Sequence, residues 1–175
     1  MQNSAKDLKK FIRDIPDFPA KGIIFRDITP LLSNHQAFCK AVDLLCESVK
    51  NQKIDYVVAI EARGFIFGSI IADKLGAGFI PIRKKGKLPH KTETITYDLE
   101  YGQDTLEVHT DAIEKGASVL MVDDLLATGG TMQSACKLLE KIGGKIIAVN
   151  FLIDLTQLNG REKLFNYKVN TSICY

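Results

Sequence analysis

The chain has 175 residues, 46% of them apolar and 25% charged, which suits one globular domain with a sizeable core and excludes disordered and fibrous classes. A formal net charge of +2 supplies no global basic field, so no nucleic-acid partner is expected and any anion must be gripped locally. No run reaches the roughly 18 apolar residues of a membrane span, and the first thirty residues carry Lys6, Asp7, Lys9, Lys10, Arg13 and Asp14 in place of a hydrophobic signal core; a cytoplasmic protein with no membrane partner is the expectation.

In chain order, Ser4 to Ile12 reads as a short amphipathic helix, with Leu8, Phe11 and Ile12 on one side and lysines on the other, ended by Pro16 and Pro19. A second helix is signalled by Ser33 or Asn34 as N-cap, followed by Ala37, Phe38, Ala41, Val42, Leu44, Leu45 and Val49 at helical spacing, and should stop near Asn51. The period then changes. Tyr56 to Ile60 is an apolar run short enough for a buried strand, followed by Glu61-Ala-Arg-Gly64 and a helical stretch from Phe65 to Leu75. Gly78 to Ile82 and Ser118 to Val122 are two further strands, the latter followed by a helix from about Thr131 to Ile142, and Lys145 to Ile153 is a fourth strand.

Strands alternating with helices predict an α/β fold: a mainly parallel twisted sheet with helices on both faces, one domain over 1–175. Between the second and third strands, Thr94 to Asp98 and Thr105 to His109 alternate apolar and polar residues around the turn material Tyr101-Gly102-Gln103-Asp104. This predicts an antiparallel ribbon projecting from the sheet. Its approach, Arg83 to Thr92, is basic and contains Gly86 and Pro89, the composition of an exposed loop; a flap over a ligand is the functional reading.

Cys39, Cys46, Cys136 and Cys174 have no C-x-x-C pairing or neighbouring histidine and read as buried thiols. His35, His90 and His109 are scattered along the chain and read as core or surface residues.

The densest chemistry lies in Val119-Leu-Met-Val-Asp-Asp-Leu-Leu-Ala-Thr-Gly-Gly-Thr131. In open parallel sheets, ligands collect beyond the carboxyl ends of strands, where loop N–H groups and a helix N-terminus favour an anion. Gly129 and Gly130 let the backbone approach closely, and Thr128 and Thr131 add hydroxyl donors. Asp123 and Asp124 would repel that anion. As acceptor-only groups they suit vicinal hydroxyls, so the stretch fits a ribose 5-phosphate, with acids on the sugar and amides on the phosphate. A P-loop lysine and a G-x-G-x-x-G run are both absent; a magnesium-dependent phosphohydrolase and a purely structural turn remain as alternatives.

Val122-Asp-Asp-Leu-Leu-Ala-Thr-Gly-Gly-Thr131 resembles the phosphoribosyl diphosphate (PRPP) motif of the type I phosphoribosyltransferase family. Phe18-Pro-x-x-Gly-Ile-Ile-Phe-Arg-Asp-Ile-Thr-Pro30, Glu61-Ala-Arg-Gly-Phe-Ile-Phe-Gly68, Arg83-Lys-x-Gly-Lys-Leu-Pro89 and Tyr97-Asp-Leu-Glu-Tyr-Gly102 resemble its adenine-specific members in order and spacing, over nearly the whole chain. The resemblance implies a small N-terminal hood, about 1–32, a flap, about 83–109, and a homodimer. It implies conversion of adenine and PRPP to AMP and pyrophosphate with Mg²⁺, the metal held by PRPP or pyrophosphate more than by side chains. Ala127, Thr128, Gly129, Gly130 and Thr131 match the family's phosphate loop, and Asp123 and Asp124 its ribose acids. Arg63 is implied at the pyrophosphate, beside a peptide bond, Ala62–Arg63, that is often cis in this fold. Lys84 and Lys87 are implied to add charge, against the alternative of solvated surface. Ile24, Phe25 and Arg26 match the base-binding segment, against core packing for the first two. Glu100, with Tyr101 beside it, matches the flap glutamate that manages the proton of adenine N7; by itself it reads as a turn carboxylate. Left open are a PRPP-binding regulator on the same fold and a transferase for another purine.

Overall fold

The computed structural model describes residues 7–98 and 102–175. Contacts divide the chain into two compact units, one ending at Leu44 and the other covering Leu45–Tyr175.

In the first unit, helix is assigned only at residues 7–9 of the expected N-terminal helix, its first residues lying outside the described ones. Two strands that periodicity did not signal follow, β1 (Arg13–Pro16) and β2 (Ile24–Asp27). They pair antiparallel with Arg13 opposite Asp27 and Pro16 opposite Ile24, and the Arg13–Asp27 ion pair at 3.0 Å closes one end. A short helix α1 (Thr29–Ser33) then runs into α2 (His35–Glu47). Of the two proposed caps, Asn34 is the one used: its Oδ1 accepts from the Ala37 N–H at 3.0 Å, while Ser33 closes α1. The helix ends at Glu47 rather than near Asn51, because the chain tightens into turns with Val49 N–H on Cys46 O and Gln52 N–H on Val49 O.

The second unit is built on a seven-stranded sheet. Its strands are β3 (Tyr56–Ile60), β4 (Gly78–Lys84), β5 (Thr92–Asp98), β6 (Gln103–His109), β7 (Ser118–Leu126), β8 (Lys145–Asp154) and β9 (Val169–Cys174), in the order β5-β6-β4-β3-β7-β8-β9. The strands from β4 to β9 in that order pair in parallel, while β6 runs antiparallel to both β4 and β5. The ribbon predicted from alternation is therefore the β5–β6 hairpin. Helix α3 (Arg63–Leu75) joins β3 to β4, and α4 (Gly130–Lys141) joins β7 to β8.

These two crossovers step along the sheet in opposite directions. Right-handed connections then place α3 and α4 on opposite faces, and packing agrees. A Cβ on Gly68 of α3 would meet Ala59 Cβ at 2.7 Å, whereas Met132, Ala135, Cys136, Leu138 and Leu139 of α4 share a buried core with Val58, Ile60, Ile80, Ile82 and Met121. Alternate residues of β3 thus face different helices, as the two-residue period of a strand requires.

Two expectations need correction here. Cys46 and Cys136 are buried, but Cys39 and Cys174 are exposed: Cys39 falls on the outer side of α2, and Cys174 ends the sheet's last strand. The cis peptide bond lies at Glu61–Ala62, one residue before the expected place, because Arg63 already belongs to the first turn of α3 and Ala62 is its cap.

Candidate active site

Adjacent parallel strands whose helices leave for opposite faces open a crevice at their carboxyl ends. In this sheet those strands are β3 and β7. Residues 61–63 follow one of them, and 123–131 end the other.

β7 continues through both acids to Leu126, because Asp123 stays paired with Phe151 and Leu126 with Asp154 of β8. The carboxylates therefore differ. Asp123 lines a cleft of about 160 Å³ together with Glu61, Ala127, Thr128, Gly129 and Thr131, and its Oδ1 accepts from the Asp124 N–H at 2.9 Å. Asp124 is 3% exposed and forms an ion pair with Arg63, Nε to Oδ2 at 3.0 Å, a contact that leaves this oxygen without a well-aligned hydrogen bond. Gly64, the residue after Arg63, has to lack a side chain: a Cβ would come within 2.8 Å of Asp123 Oδ1.

Burial pushes the Asp123 carboxyl well above its ordinary 3.8, and the neighbouring Asp124 adds to the rise. Burial also raises Asp124, while Arg63 pulls it back. Two partly desolvated carboxylates with unfilled acceptor capacity suit hydroxyl donors, each of which would replace hydration lost in the cleft.

Beyond β7 the chain turns at Gly129, with φ +79°, which caps α4. No Cβ fits at that position, since it would lie 2.3 Å from Gly160 O. Glycine lets the backbone adopt this left-handed turn, so the free N–H groups of the first turn of α4 stand at the cleft, where the helix dipole favours an anion. Thr131 is also within hydrogen-bond reach of the Tyr97 hydroxyl on β5, whose pKa is raised by burial, so the hairpin touches the loop.

The remaining expected residues are placed as follows. Lys84, the last residue of β4, pairs through Nζ with Asp104 Oδ2 of β6 at 3.0 Å, and this bond holds its ammonium above the ordinary value. Lys87 is exposed. Ile24, Phe25 and Arg26 lie on β2 of the first unit, where Phe25 meets the edge of Phe18 at 5.3 Å and Arg26 pairs with Asp14. Glu100 and Tyr101 lie outside the described residues.

The phosphoribosyl transferase domain model matches residues 29–172. Adenine phosphoribosyltransferase of Pseudothermotoga lettingae is 57% identical over 169 residues, covering 97% of this chain and 99% of that protein. The chain belongs to the adenine phosphoribosyltransferase family. The enzyme of Thermotoga maritima is likewise 57% identical, over 97% of this chain and 98% of its own. Among solved structures, adenine phosphoribosyltransferase from Thermoanaerobacter pseudethanolicus superposes with a TM-score of 0.95 at 48% identity, covering 98% of this chain and 99% of that one. The Saccharomyces cerevisiae protein, complexed with adenine and an imino-altritol bisphosphate, gives 0.92 at 41%, with 98% and 99% covered.

Three residues that hold this cleft in shape have no role in the sequence reading, although Glu61 opens one of its motifs. Glu61 accepts from Arg83 Nε and Nη2, at 3.1 and 2.9 Å, and from the Lys84 N–H at 2.6 Å. Burial works against its charge, but these donors prevail and its pKa falls. Glu107, 4% exposed, accepts from the Lys87 and Leu88 N–H groups, both at 2.8 Å, and so pins the basic loop to β6. Gly160 carries the carbonyl that meets Gly129. Alternation puts Glu107 in the polar phase of its strand, with Thr105 and His109, so no local pattern marks it as buried; none marks Gly160 either.

Proposed function

We propose that the chain carries out the reaction of its family at this cleft, transferring the 5-phosphoribosyl group of PRPP to N9 of adenine and giving AMP and pyrophosphate, a step of purine salvage. The observation that carries the reading is the juxtaposition of an acid pair ending β7 with a glycine-turned helix start, in one cleft at the switch point of the sheet.

The 5′-phosphate sits in the loop from Ala127 to Thr131, receiving backbone N–H groups and the Thr128 and Thr131 hydroxyls. Asp123 and Asp124 accept from the ribose hydroxyls. Arg63, already held by Asp124, presents its charge to the departing pyrophosphate, and Lys84 and Lys87 on the basic loop add to that field. Base recognition falls to Ile24, Phe25 and Arg26. Backbone N–H and C=O groups there read the adenine edge and reject a 6-oxo purine, whose donors and acceptors are reversed.

As the bond from C1′ to pyrophosphate breaks and N9 attacks, positive charge grows on the ribose ring and negative charge on the leaving group. Glu100, with Tyr101 beside it, meets N7 and manages its proton, and the flap excludes water that would hydrolyse PRPP. Among the described residues no three His, Cys, Asp or Glu side chains stand together as a metal cage. The donor set would suit Mg²⁺ carried in on the diphosphate, since that ion usually keeps phosphate oxygens and water and takes one or two carboxylates; Asp123 and Asp124 are the acids beside the phosphate loop that would hold it. Bound there, Mg²⁺ would offset the charge of the leaving group. A cytoplasmic homodimer completes the proposal.

The test is purified protein with PRPP, Mg²⁺ and, separately, adenine, guanine, hypoxanthine and xanthine, following nucleotide formation. AMP formed from adenine with the other bases inert is the expected result. PRPP binding without any nucleotide product would indicate a regulator and overturn the proposal, and turnover of another purine would overturn the assignment of the base.

A further inference from the structure

We infer that Lys163 supplies the cationic contact to the 5′-phosphate that the phosphate loop itself lacks. The inference rests on the phosphate reading of residues 127–131. No lysine or arginine occurs within that loop, so in the loop alone a dianionic phosphate would be met only by amides, hydroxyls and a helix end.

The segment after β8 is fastened to the loop from several sides. Gly129 and Gly160 approach so closely that a Cβ on Gly129 would lie 2.3 Å from Gly160 O, and one on Gly160 would lie 2.1 Å from Ala127 O. Arg161 anchors the same segment to the sheet, with Nε on Asp154 Oδ2 at 2.8 Å and Nη2 on Thr171 Oγ1 at 2.5 Å. Asp154 is 1% exposed, so this anchor is firm. Gln133, in the first turn of α4, donates its Nε2 to Lys163 O at 2.7 Å. The backbone of Lys163 is thereby tied to the helix whose start faces the cleft.

The side chain points the same way. Lys163 Nζ lies 3.7 Å from the position that a Cβ on Gly130 would take, beside the first residue of α4. None of the described carboxylates forms an ion pair with it. An ammonium beside the positive end of a helix is disfavoured on electrostatic grounds. An anion between the two reverses the sign of both interactions, and the 5′-phosphate is the anion this loop receives. Since that phosphate keeps its charge throughout the reaction, the lysine binds ground state and transition state alike.

The test compares the parent with Lys163→Ala, Lys163→Arg and Thr131→Ala, using PRPP kinetics and titrations with AMP and with adenosine, which differ only in the phosphate. For Lys163→Ala, KM for PRPP and Kd for AMP should each rise about tenfold, the order expected for one charge-assisted contact at an exposed site, with kcat and adenosine binding unchanged. Lys163→Arg should recover most of the AMP affinity. Unchanged AMP binding in Lys163→Ala, or equal loss of AMP and adenosine, overturns the inference. If Thr131→Ala weakens AMP binding while Lys163→Ala does not, the loop holds phosphate without the lysine and this inference falls alone; if neither does, the phosphate reading falls with it.

Discussion

Replacing Gly129 with alanine inserts one methyl group at the tightest backbone contact of the site. The added Cβ would stand 2.3 Å from Gly160 O, where about 3.0 Å is the closest approach that real Cβ atoms show. Its neighbours on the other side are backbone atoms, held in turn by the Arg161 to Asp154 contact, so neither strand of chain can give way cheaply. The φ of +79° adds its own cost: about 1–2 kcal/mol for a residue with a Cβ in the left-handed region. Overpacking adds about 1–3 kcal/mol. For a chain of this size each kcal/mol moves the melting temperature by about 2–4 °C, so a loss on the order of 10 °C is expected in differential scanning calorimetry. The matched control is Gly130→Ala, one residue on. Its Cβ would meet only Lys163 Nζ, at 3.7 Å, in the first turn of a helix that alanine favours over glycine, and the melting temperature should hold. AMP should raise the melting temperature of the parent, and this increment should shrink in Gly129→Ala as the displaced loop loses its aim. A Gly129→Ala protein that melts with the parent, or a Gly130→Ala protein that falls equally far, would refute the close-packing argument.

Asp124→Asn should weaken PRPP binding, and an unchanged Kd by calorimetry would contradict the ribose assignment. Both acids of the pair are raised above 3.8, so between that value and the raised ones the folded chain holds more protons than the unfolded chain. Stability of the free protein should then fall as pH rises through that window, while PRPP affinity rises over the same range as the carboxylates become acceptors; chemical denaturation and titration across pH would show the opposed slopes, and parallel slopes would sink the assignment. Glu107 is the reverse case. Burial opposes its charge, but the Leu88, Gly86 and Lys87 amides outweigh it and lower its pKa below 4.5. Its contribution is present above that value and lost as pH falls through the lowered one, so Glu107→Gln should flatten the acid limb of stability. Glu107→Ala should cost about 1–3 kcal/mol through amides left unpaired, with faster hydrogen exchange at 86–88 as the readout. Glu100→Leu should lower kcat far more than it weakens PRPP binding; equal turnover in the two proteins would remove Glu100 from the mechanism.

Much of the sheet was legible because its signals are local. Tyr56 to Ile60 is delimited as it stands, and each hairpin strand begins two residues earlier than expected, β5 at its outer end and β6 inside the expected turn material, while both end where expected, since alternation and turn residues act over only a few positions. β9 escaped notice: Val169-Asn-Thr-Ser-Ile-Cys174 has little apolar period and becomes a strand because β8 offers it a parallel edge. β1 and β2, four residues each, depend on each other in the same way.

The amino-acid order alone carried the type of most elements, the parallel α/β class and the motif of acids, threonines and glycines from Asp123 to Thr131, because strand period, helix spacing, turn residues and a contiguous motif are all short-range properties. Folding decided which acid lines the cleft and which is buried on Arg63, that Glu107 holds the basic loop, and that Gly160 and Lys163 stand against Gly129 and Gly130. Each of these is a contact between residues far apart in the chain, and its energy exists only once burial and sheet order have brought the partners together.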